Sequence, residues 1–285
     1  MPPRISAIVP AYTRVASLLR TLERICACTP PPDEILVHAD GAHPEIMNAV
    51  RAGYPDILLL QSNRQVGPGG ARNKLIAAAQ HELVANFDDD SYPIDADYFL
   101  RIQDAAQRLP DVAVLSAITV PEMAAEGSTS RDDSFRHIQV FSGCGCVYRK
   151  SWFQKTSGYV PIPVAYSMEE TDMSLRLRAL GGDIVEMKAL KVCHYNPLEA
   201  CPPPITRSFS IANIALLGFL RFPIILWPII PLQVLSRLVW LIRHGFGEGI
   251  IAGLRMIPLH LRKYAAYRKV LPAVTILSWL AARKS

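Results

Sequence analysis

The first 120 residues of this chain alternate between short apolar runs and longer stretches with helical spacing. The apolar runs predict strands at residues 5–9, 34–39, 57–60, 83–87 and 112–119. The stretches between them predict helices at residues 15–27, 43–52, 70–81 and 96–109. Strands that alternate with helices form βαβ units, whose crossovers are right-handed. The sequence therefore predicts an α/β fold with a mostly parallel sheet and flanking helices.

The segment from 121 to 204 is less regular. Residues 121–133 are acidic and contain Gly and Ser, which predicts a long loop of the kind that often serves as a substrate lid. Residues 141–149 lead into a short helix, residues 167–180 predict a longer helix that Gly181-Gly182 ends, and residues 183–187 predict a last strand. Three prolines at 202–204 mark a boundary. We therefore expect a body over residues 1–204 and a separate tail over residues 205–285.

The tail differs sharply in composition from the body. It carries eleven Lys and Arg and one acid, a net charge of +10, whereas residues 1–204 carry −5. Its apolar runs at 211–220 and 222–235 are interrupted by Arg221 and by prolines, so neither is expected to reach the roughly twenty residues of a membrane span. Apolar residues interleaved with basic ones are typical of helices that lie on an anionic membrane surface. The pattern favours monotopic attachment over one span, and a helical subdomain packed on the body or on a partner is the alternative.

Composition also bears on partners and compartment. A mildly acidic body argues against nucleic acid as the main partner. The N-terminal residues show no signal-peptide pattern and run directly into the first predicted strand, so we expect a cytoplasmic location and reduced cysteines. The two Cys-x-Cys pairs, at 26–28 and 144–146, lack the spacing of common zinc knuckles.

Three consecutive carboxylates, Asp88, Asp89 and Asp90, follow the apolar run at 83–87. The carboxyl ends of strands in an open α/β sheet are where ligands bind. Three adjacent anions need an offsetting charge, and a hard divalent cation prefers carboxylate oxygen. A solvated acidic loop, with Asp90 or Ser91 capping a helix, would place the same residues there.

Other candidate ligand-binding residues follow the neighbouring predicted strands. Pro10 and Tyr12 end the first, where an aromatic ring can stack on a base, and Asp40 follows the second and can accept bonds from a base or ribose. The glycine-rich segment at 67–73 opens a helix, and its Arg72 offers a bidentate fork for phosphate. Each residue taken singly is also compatible with an ordinary turn. Taken together they predict a pocket for a nucleotide diphosphate.

The ordered set of motifs resembles family 2 inverting glycosyltransferases with the GT-A fold. The matching segments span roughly the first two hundred residues and are Ile8-Val9-Pro10-Ala11-Tyr12, Asp40-Gly41, Gly67 to Asn73, Phe87-Asp88-Asp89-Asp90, Gly143-Cys144-Gly145 and Glu169-Glu170-Thr171-Asp172. The resemblance implies that Asp88 and Asp90 hold Mg²⁺ or Mn²⁺ with the diphosphate of a sugar nucleotide. It also implies that Asp40 contacts the base, and that Gly67, Arg72, Asn73, Asp88 and Asp89 line the donor site.

The resemblance further implies that an acidic pair on the second part of the body supplies the catalytic base. Glu170 is our candidate, with Glu169 and Asp172 behind it. A capping box would explain Glu170 equally well, because Ser167 stands three residues before it. His194 follows a strand and is either a third metal ligand or a structural histidine.

These features predict an enzyme on the cytoplasmic face of the membrane. It would move a sugar from a nucleotide-diphosphate donor to a hydroxyl of a lipid-linked glycan, in the synthesis of a surface or extracellular polysaccharide. A polyprenyl-phosphate sugar synthase is the alternative, with an acceptor that is already anionic and needs no base. A non-catalytic nucleotide-sugar-binding subunit is a third hypothesis, against which the intact acidic residues argue.

Overall fold

The computed structural model describes residues 2–122, 132–164, 166, 168–194 and 203–282. Within them, nine strands form one sheet. They are β1 (Ile5–Ala11), β2 (Glu34–Ala39), β3 (Leu58–Gln61), β4 (Leu83–Asn86), β5 (Ser91–Pro93), β6 (Val112–Pro121), β7 (Phe135–His137), β8 (Cys146–Arg149) and β9 (Asp183–His194). The predicted α/β class is confirmed, and the five strands predicted in the first 120 residues all form.

The sheet has the order β3-β2-β1-β4-β8-β6-β9-β5, and β7 pairs with β9. The first four strands are parallel to one another, and β6 and β9 are parallel to each other. Strand β8 lies antiparallel between β4 and β6. The carboxyl ends of β1, β2, β4, β6 and β9 therefore meet at one edge of the sheet, together with the beginning of β8.

Six helices lie in the part of the body that the structure describes. They are α1 (Val15–Cys26), α2 (Pro44–Gly53), α3 (Gly67–Ala78), α4 (Tyr98–Arg108), α5 (Lys150–Gln154) and α6 (Glu169–Ala179). Helices α1, α2 and α4 bury apolar residues in one core cluster with the sheet, whereas α3 and α6 contribute to a second cluster. Helices thus cover both faces of the sheet, as buried parallel strands require.

Two elements differ from the sequence prediction in length. Helix α3 begins at Gly67, three residues before the predicted start, because Pro68 is compatible with the first turn of a helix. Strand β9 continues to His194 well beyond the predicted end at 187, following a register shift opposite Ala117 and Ile118 of β6. Most of the predicted lid and the capping residue Ser167 lie outside the described residues.

The tail forms α7 (Pro204–Arg221), α8 (Ile229–Arg243), α9 (Ile250–Lys263) and α10 (Ala273–Ala282). Helices α7 and α10 pack on the body in a buried apolar cluster that joins Ile162 and Leu175 to Leu216, Leu220 and Trp279. Truncation before α7 would therefore expose core surface, which makes it a poor test of what the tail does.

One stretch of the tail corrects the sequence prediction. The helical stretch Ile224–Arg243, with twenty residues, is long and apolar enough to cross a membrane, and little of it is buried. The prolines at 228 and 231 do not interrupt it, because they occupy the N-cap and first turn of α8, where a missing N–H is tolerated. A core helix of a soluble protein can have the same length and composition, so these two features are weak evidence for a span.

Candidate active site

A pocket of about 700 Å³ opens at the sheet edge where the strand ends meet. Its wall includes the end of β1, the residues after β2 and β4, the segment before β8, and the first turns of α3 and α6. The chain therefore brings together segments that are far apart in sequence. Of the predicted residues, the following line the pocket: Pro10, Tyr12, Asp40, Gly67, Arg72, Asp88, Asp89, Glu169, Glu170 and His194.

The aspartate triplet contributes to the pocket and to a partly buried ion pair with Arg14. Asp88 is the most exposed of the three, and its backbone N–H donates to Ser91 Oγ at 2.8 Å. The guanidinium of Arg14 bridges Asp89 Oδ1 and Asp90 Oδ2. Burial raises the pKa of Asp89 to about 6, although Arg14 opposes that shift. The Asp89 carboxylate is therefore largely shielded from solvent and paired with Arg14.

Asp88, Asp90 and His194 form a compact cluster of metal-ligand atoms. One ligand atom from each lies within 4.8 Å of the other two. The arrangement follows from the sheet, because β5 and β9 pair antiparallel with Ser91 opposite His194. Two carboxylates and an imidazole suit a divalent cation such as Mn²⁺, and Asp88 and His194 face the pocket. The residues present thus fit the predicted metal.

Arg72 is buried, and protein groups occupy its guanidinium. Its Nη2 donates to Asp88 Oδ1 at 2.6 Å, its Nε donates to Asn86 Oδ1 at 3.2 Å, and Nη1 pairs with Glu169. This differs from the predicted phosphate fork, because a buried arginine requires acceptors on all sides. In this arrangement Arg72 joins the candidate metal site to the acidic pair on α6.

The three acids of α6 have different surroundings. Glu170 faces the pocket and is otherwise enclosed by protein, and this burial raises the pKa of its carboxyl although nearby Arg72 lowers it. Glu169 is paired with Arg72. Asp172 is not among the residues lining the pocket, because Arg176 and Arg221 bind its carboxylate in the interior. The structure thus brings two of the three candidate acids to the site.

Gly143 leaves the space that Glu170 occupies. Asn86 Nδ2 donates to the Gly143 carbonyl at 2.5 Å, which holds this segment beside the end of β4. A Cβ at position 143 would overlap Glu170 Oε1 and come within 3.3 Å of Arg72 Nη2. The position of the Glu170 carboxylate therefore depends on the absence of a side chain at residue 143.

The Asp40 carboxylate fixes the turn that precedes α3. Its two oxygens accept the backbone N–H groups of Val66 and Gly67, each at 2.8 Å. Gly67 has φ +75°, and a side chain there would overlap the carbonyl of Ile162. Asp40 and Gly67 therefore shape the pocket as well as line it.

The remaining predicted donor residues split between the pocket and its support. The ring of Tyr12 packs edge-on against His43 with 4.9 Å between centroids, and 43% of the residue surface stays exposed. Asn73 is not among the pocket-lining residues. Its amide instead donates to the Tyr159 carbonyl at 2.9 Å and accepts the Tyr159 N–H at 2.7 Å.

Sequence reasoning missed Arg14, Asn86 and Gly143 as individual site residues. Arg14 follows Tyr12 by two positions and Asn86 ends β4, so both stand at strand ends where ligands bind. That position was the available signal. No local pattern indicates that Arg14 would bind Asp89 and Asp90, or that Asn86 would bind Arg72 and the Gly143 carbonyl.

One family model and several solved structures are similar to this chain. The family model described as glycosyl transferase family 2 matches residues 6–157, just over half of the chain. No curated protein matches the chain significantly.

Among solved structures, the mannosyltransferase PcManGT from Pyrobaculum calidifontis, in complex with GDP-Man and Mn²⁺, has a TM-score of 0.58 at 18% identity, covering 99% of this chain and 80% of that one. GalNAc-T7 with UDP, GalNAc and Mn²⁺ has a TM-score of 0.58 at 11% identity, covering 75% of this chain and 48% of that one. TarS of S. aureus in complex with UDP-GlcNAc has a TM-score of 0.54 at 14% identity, covering 82% of this chain and 72% of that one. At these identities the likeness concerns the fold.

Proposed function

Because this chain belongs to glycosyl transferase family 2, we propose that its pocket transfers a sugar from a nucleotide-diphosphate donor to an acceptor hydroxyl with inversion. The observation that carries this proposal is the placement of Asp88 and His194 in the same pocket as Glu170. A cation-binding cluster and a carboxylate of raised pKa are the two groups that such a reaction requires.

Three features support a nucleotide-diphosphate sugar as the donor. The similar structures contain GDP-Man, UDP with GalNAc, and UDP-GlcNAc. Tyr12 offers an exposed aromatic ring for a base, and Pro10 and the Asp40 carboxylate line the pocket beside it. We assign Asp40, Gly67, Asp88 and Asp89 to the donor site, with Arg72 and Asn73 holding its walls.

Asp88, Asp90 and His194 are the residues that would hold Mg²⁺ or Mn²⁺, and Mn²⁺ is the ion in two of the similar structures. When bound, the cation supplies Lewis acidity toward the diphosphate. Arg14 bridges Asp89 and Asp90 and so offsets part of the triplet's charge. The positive charge of the Arg14 side chain therefore neutralises part of the negative charge of the three aspartates.

Glu170 is the proposed general base. Its carboxylate would accept the proton of the acceptor hydroxyl as that oxygen attacks the anomeric carbon from the face opposite the leaving group. A single displacement inverts the anomeric configuration and needs no covalent enzyme intermediate. The Glu169–Arg72 pair lies behind Glu170 and holds the start of α6 against the pocket wall. Asp172 is excluded from direct proton transfer by its two arginine partners.

Gly143→Ala tests the position of Glu170 without removing any functional group. The added methyl overlaps Glu170 Oε1, so the carboxylate must move by about an ångström. Displacements of that size cost up to about a hundredfold in rate, so we expect kcat to fall roughly 10- to 100-fold with the nucleotide affinity retained. Steady-state kinetics and nucleoside diphosphate titration measure the two effects. Gly53→Ala is the control, because a Cβ there meets no atom within 4 Å.

The tail supports a membrane-bound acceptor. Large apolar side chains are exposed along residues 224–277, among them Ile225 at 81% and Leu232 at 64%. Basic residues at 237, 243, 255, 262, 263, 268 and 269 accompany them. Apolar contact together with cationic side chains is the combination that binds a helix to an anionic lipid surface. We infer monotopic attachment and a lipid-linked glycan acceptor, in the synthesis of a surface or extracellular polysaccharide.

The cytoplasmic face is the proposed side of the membrane. Cys26, Cys28, Cys144, Cys146 and Cys193 are free thiols, which suits a reducing compartment. A membrane-impermeant thiol reagent applied to intact cells should leave Cys26, the exposed one, unlabelled.

Replacing Ile225 and Leu232 together by Glu should release the protein from membranes. Burial of each side chain contributes about 1.5–3 kcal/mol, so the double change is expected to weaken partitioning at least about a hundredfold. Both residues are exposed, so the fold is expected to survive. Co-sedimentation with vesicles containing anionic lipid measures the effect, and Leu100→Glu on exposed body surface is the control. Unchanged sedimentation of the double variant would refute attachment through this surface.

A polyprenyl-phosphate sugar synthase is the second candidate. Its acceptor is already ionised and would make no use of Glu170, whose enclosure in the pocket favours a hydroxyl acceptor. A non-catalytic nucleotide-sugar-binding subunit would have no use for the Glu170 carboxylate as a base, so the presence of Glu170 in the pocket argues against it.

A further inference from the structure

Arg221, the last residue of α7, is fully buried and connects the tail to the body. Its Nε and Nη2 bind the two oxygens of Asp172, the second at 3.1 Å. Its Nη1 donates to the Tyr267 carbonyl at 2.9 Å and to the Lys269 carbonyl at 3.4 Å. The backbone carbonyl of Arg221 accepts the N–H of Leu271 at 2.8 Å. One side chain thus joins the end of α7, the segment after α9, and helix α6.

Asp172 stands in the first turn of α6, two residues after Glu170. Besides Arg221, it binds Nη2 of Arg176, one turn further along the same helix, at 2.8 Å. Burial alone would raise the pKa of Asp172, but Arg176 and Arg221 together lower it, so the carboxylate stays ionised. The turn of the helix that presents Glu170 to the pocket is therefore tied to the tail by a charged pair.

The same network continues to the pocket wall. Nη1 of Arg176 donates to the Gly158 carbonyl at 2.6 Å, next to Tyr159, which Asn73 of α3 holds through both backbone groups. The hydroxyl of Tyr159 bonds that of Tyr148 on β8 at 2.6 Å. Through these contacts, α6 is fixed against the tail on one side and against α3 and β8 on the other.

Neutralisation of Asp172 does not require Arg221. Arg176 already pairs with Asp172, and burying a second guanidinium costs desolvation energy that an apolar side chain would avoid. A buried ion pair is therefore weak evidence that Arg221 is there for stability. What Arg221 adds is a directional link between α6 and two tail segments, one of which leads directly into α10.

We propose that Arg221 is a positioning residue through which the tail orients α6 and its base, Glu170. The inference rests on the proposed role of Glu170. Since Arg221 also receives the backbone that follows α9, the orientation of the base depends on the packing of the part of the chain that carries the exposed apolar and basic surface. A change in the packing of the tail is therefore expected to change the orientation of Glu170 in the active site.

Arg221→Met tests this inference, with Arg207→Met as the matched control. Arg207 is also a buried arginine of α7, but its guanidinium contacts Glu248 at 3.9 Å and the Phe246 ring at 5.4 Å, both in the tail. The change at 221 leaves Arg176 to balance Asp172, so no buried anion is left alone. Both variants should lose stability, which thermal unfolding measures.

The two variants should differ in kcat. For Arg221→Met we expect kcat for release of nucleoside diphosphate to fall about 10- to 100-fold. The affinities for UDP and GDP with Mn²⁺ should stay within about twofold, because the donor wall does not contact Arg221. Amide hydrogen exchange over residues 169–179 should accelerate. Arg207→Met should retain kcat and the exchange rates of α6, and Arg221→Lys should recover part of kcat.

The outcomes separate this inference from the proposed function. If Glu170→Gln retains turnover, the role of Glu170 is wrong and the inference fails with it. If Glu170→Gln is inactive but Arg221→Met keeps the kcat and α6 exchange of Arg207→Met, the positioning role alone is overturned. A parallel loss of nucleotide affinity and kcat in Arg221→Met would also overturn it, because that pattern indicates general loosening of the pocket.

Discussion

Glu170→Gln should strongly slow sugar transfer while the donor still binds. The amide has the same shape but cannot take up the proton of the acceptor hydroxyl. General base catalysis contributes about 10²- to 10⁴-fold, so kcat should fall by that factor. The affinity for nucleoside diphosphate and Mn²⁺ should change little. Glu23→Gln, on the exposed face of α1, is the control for loss of one carboxylate and should behave as wild type.

The pH dependence of kcat gives a second measure of the same group. The unprotonated form of Glu170 is the active one, so kcat should rise with pH and level off above the pKa of Glu170. Burial raises that pKa, against the effect of Arg72 and with a smaller contribution from Asp88, so the acidic limb should lie above the ordinary value of about 4.3. The residual rate of Glu170→Gln should lack this limb. Transfer by Glu170→Gln within twofold of wild type would contradict the base assignment and favour an acceptor that is already anionic.

Asp90→Asn should remove both metal affinity and turnover. Asp90 Oδ1 lies 3.5 Å from His194 Nε2 and its other oxygen pairs with Arg14, so the change weakens the ligand cluster at its centre. Loss of the stabilisation that a bound cation provides, several kcal/mol, corresponds to more than about a hundredfold in rate. Mn²⁺ titration followed by electron paramagnetic resonance measures the affinity directly, without reference to turnover.

Asp89→Asn is the matched control for the metal experiment. It removes the neighbouring charge, which also pairs with Arg14 but does not belong to the ligand cluster. We expect Mn²⁺ affinity to be reduced far less than in Asp90→Asn. His194→Ala should fall between the two, since it removes one ligand of the cluster but, unlike Asp90→Asn, no negative charge. Equal Mn²⁺ binding by Asp90→Asn and wild type would refute the assignment of the site.

The placement of the acids at one sheet edge was predictable because it follows from topology. Asp40 and the triplet come directly after strands whose apolar runs identify them, and the ends of parallel strands meet at one edge. The compact set of Asp88, Asp90 and His194 needed one further fact, the antiparallel pairing of β5 with β9, because β5 has only three residues. So short an element leaves little periodic signal.

The pairing of individual side chains was not predictable. Arg72 suited a phosphate fork on sequence grounds, yet the fold surrounds it with Glu169, Asp88 and Asn86. Asp172 suited a catalytic role, yet Arg221, 49 residues away in sequence, holds it in the interior. These partnerships result from tertiary packing and from the cost of leaving a buried charge unpaired, neither of which a local pattern records.

The proline triplet marks the start of a helix but does not separate two independently packed parts of the chain. Helix α7 begins at Pro204, as the triplet indicates, because proline is favoured in a first helical turn. The two parts nevertheless share the apolar cluster around Leu175 and Leu216, so the boundary in composition is not a boundary in packing. The exposed surface of residues 224–277 is what sets the tail apart.

Release of nucleoside diphosphate from a panel of GDP-, UDP- and dTDP-sugars, with Mn²⁺ or with EDTA, tests the central claim most directly. We expect at least one donor to be turned over with Mn²⁺, and that turnover to be lost with EDTA and in Asp90→Asn and Glu170→Gln. Release that is equally fast with EDTA, or unchanged in both variants, would contradict a metal-dependent transferase at this pocket.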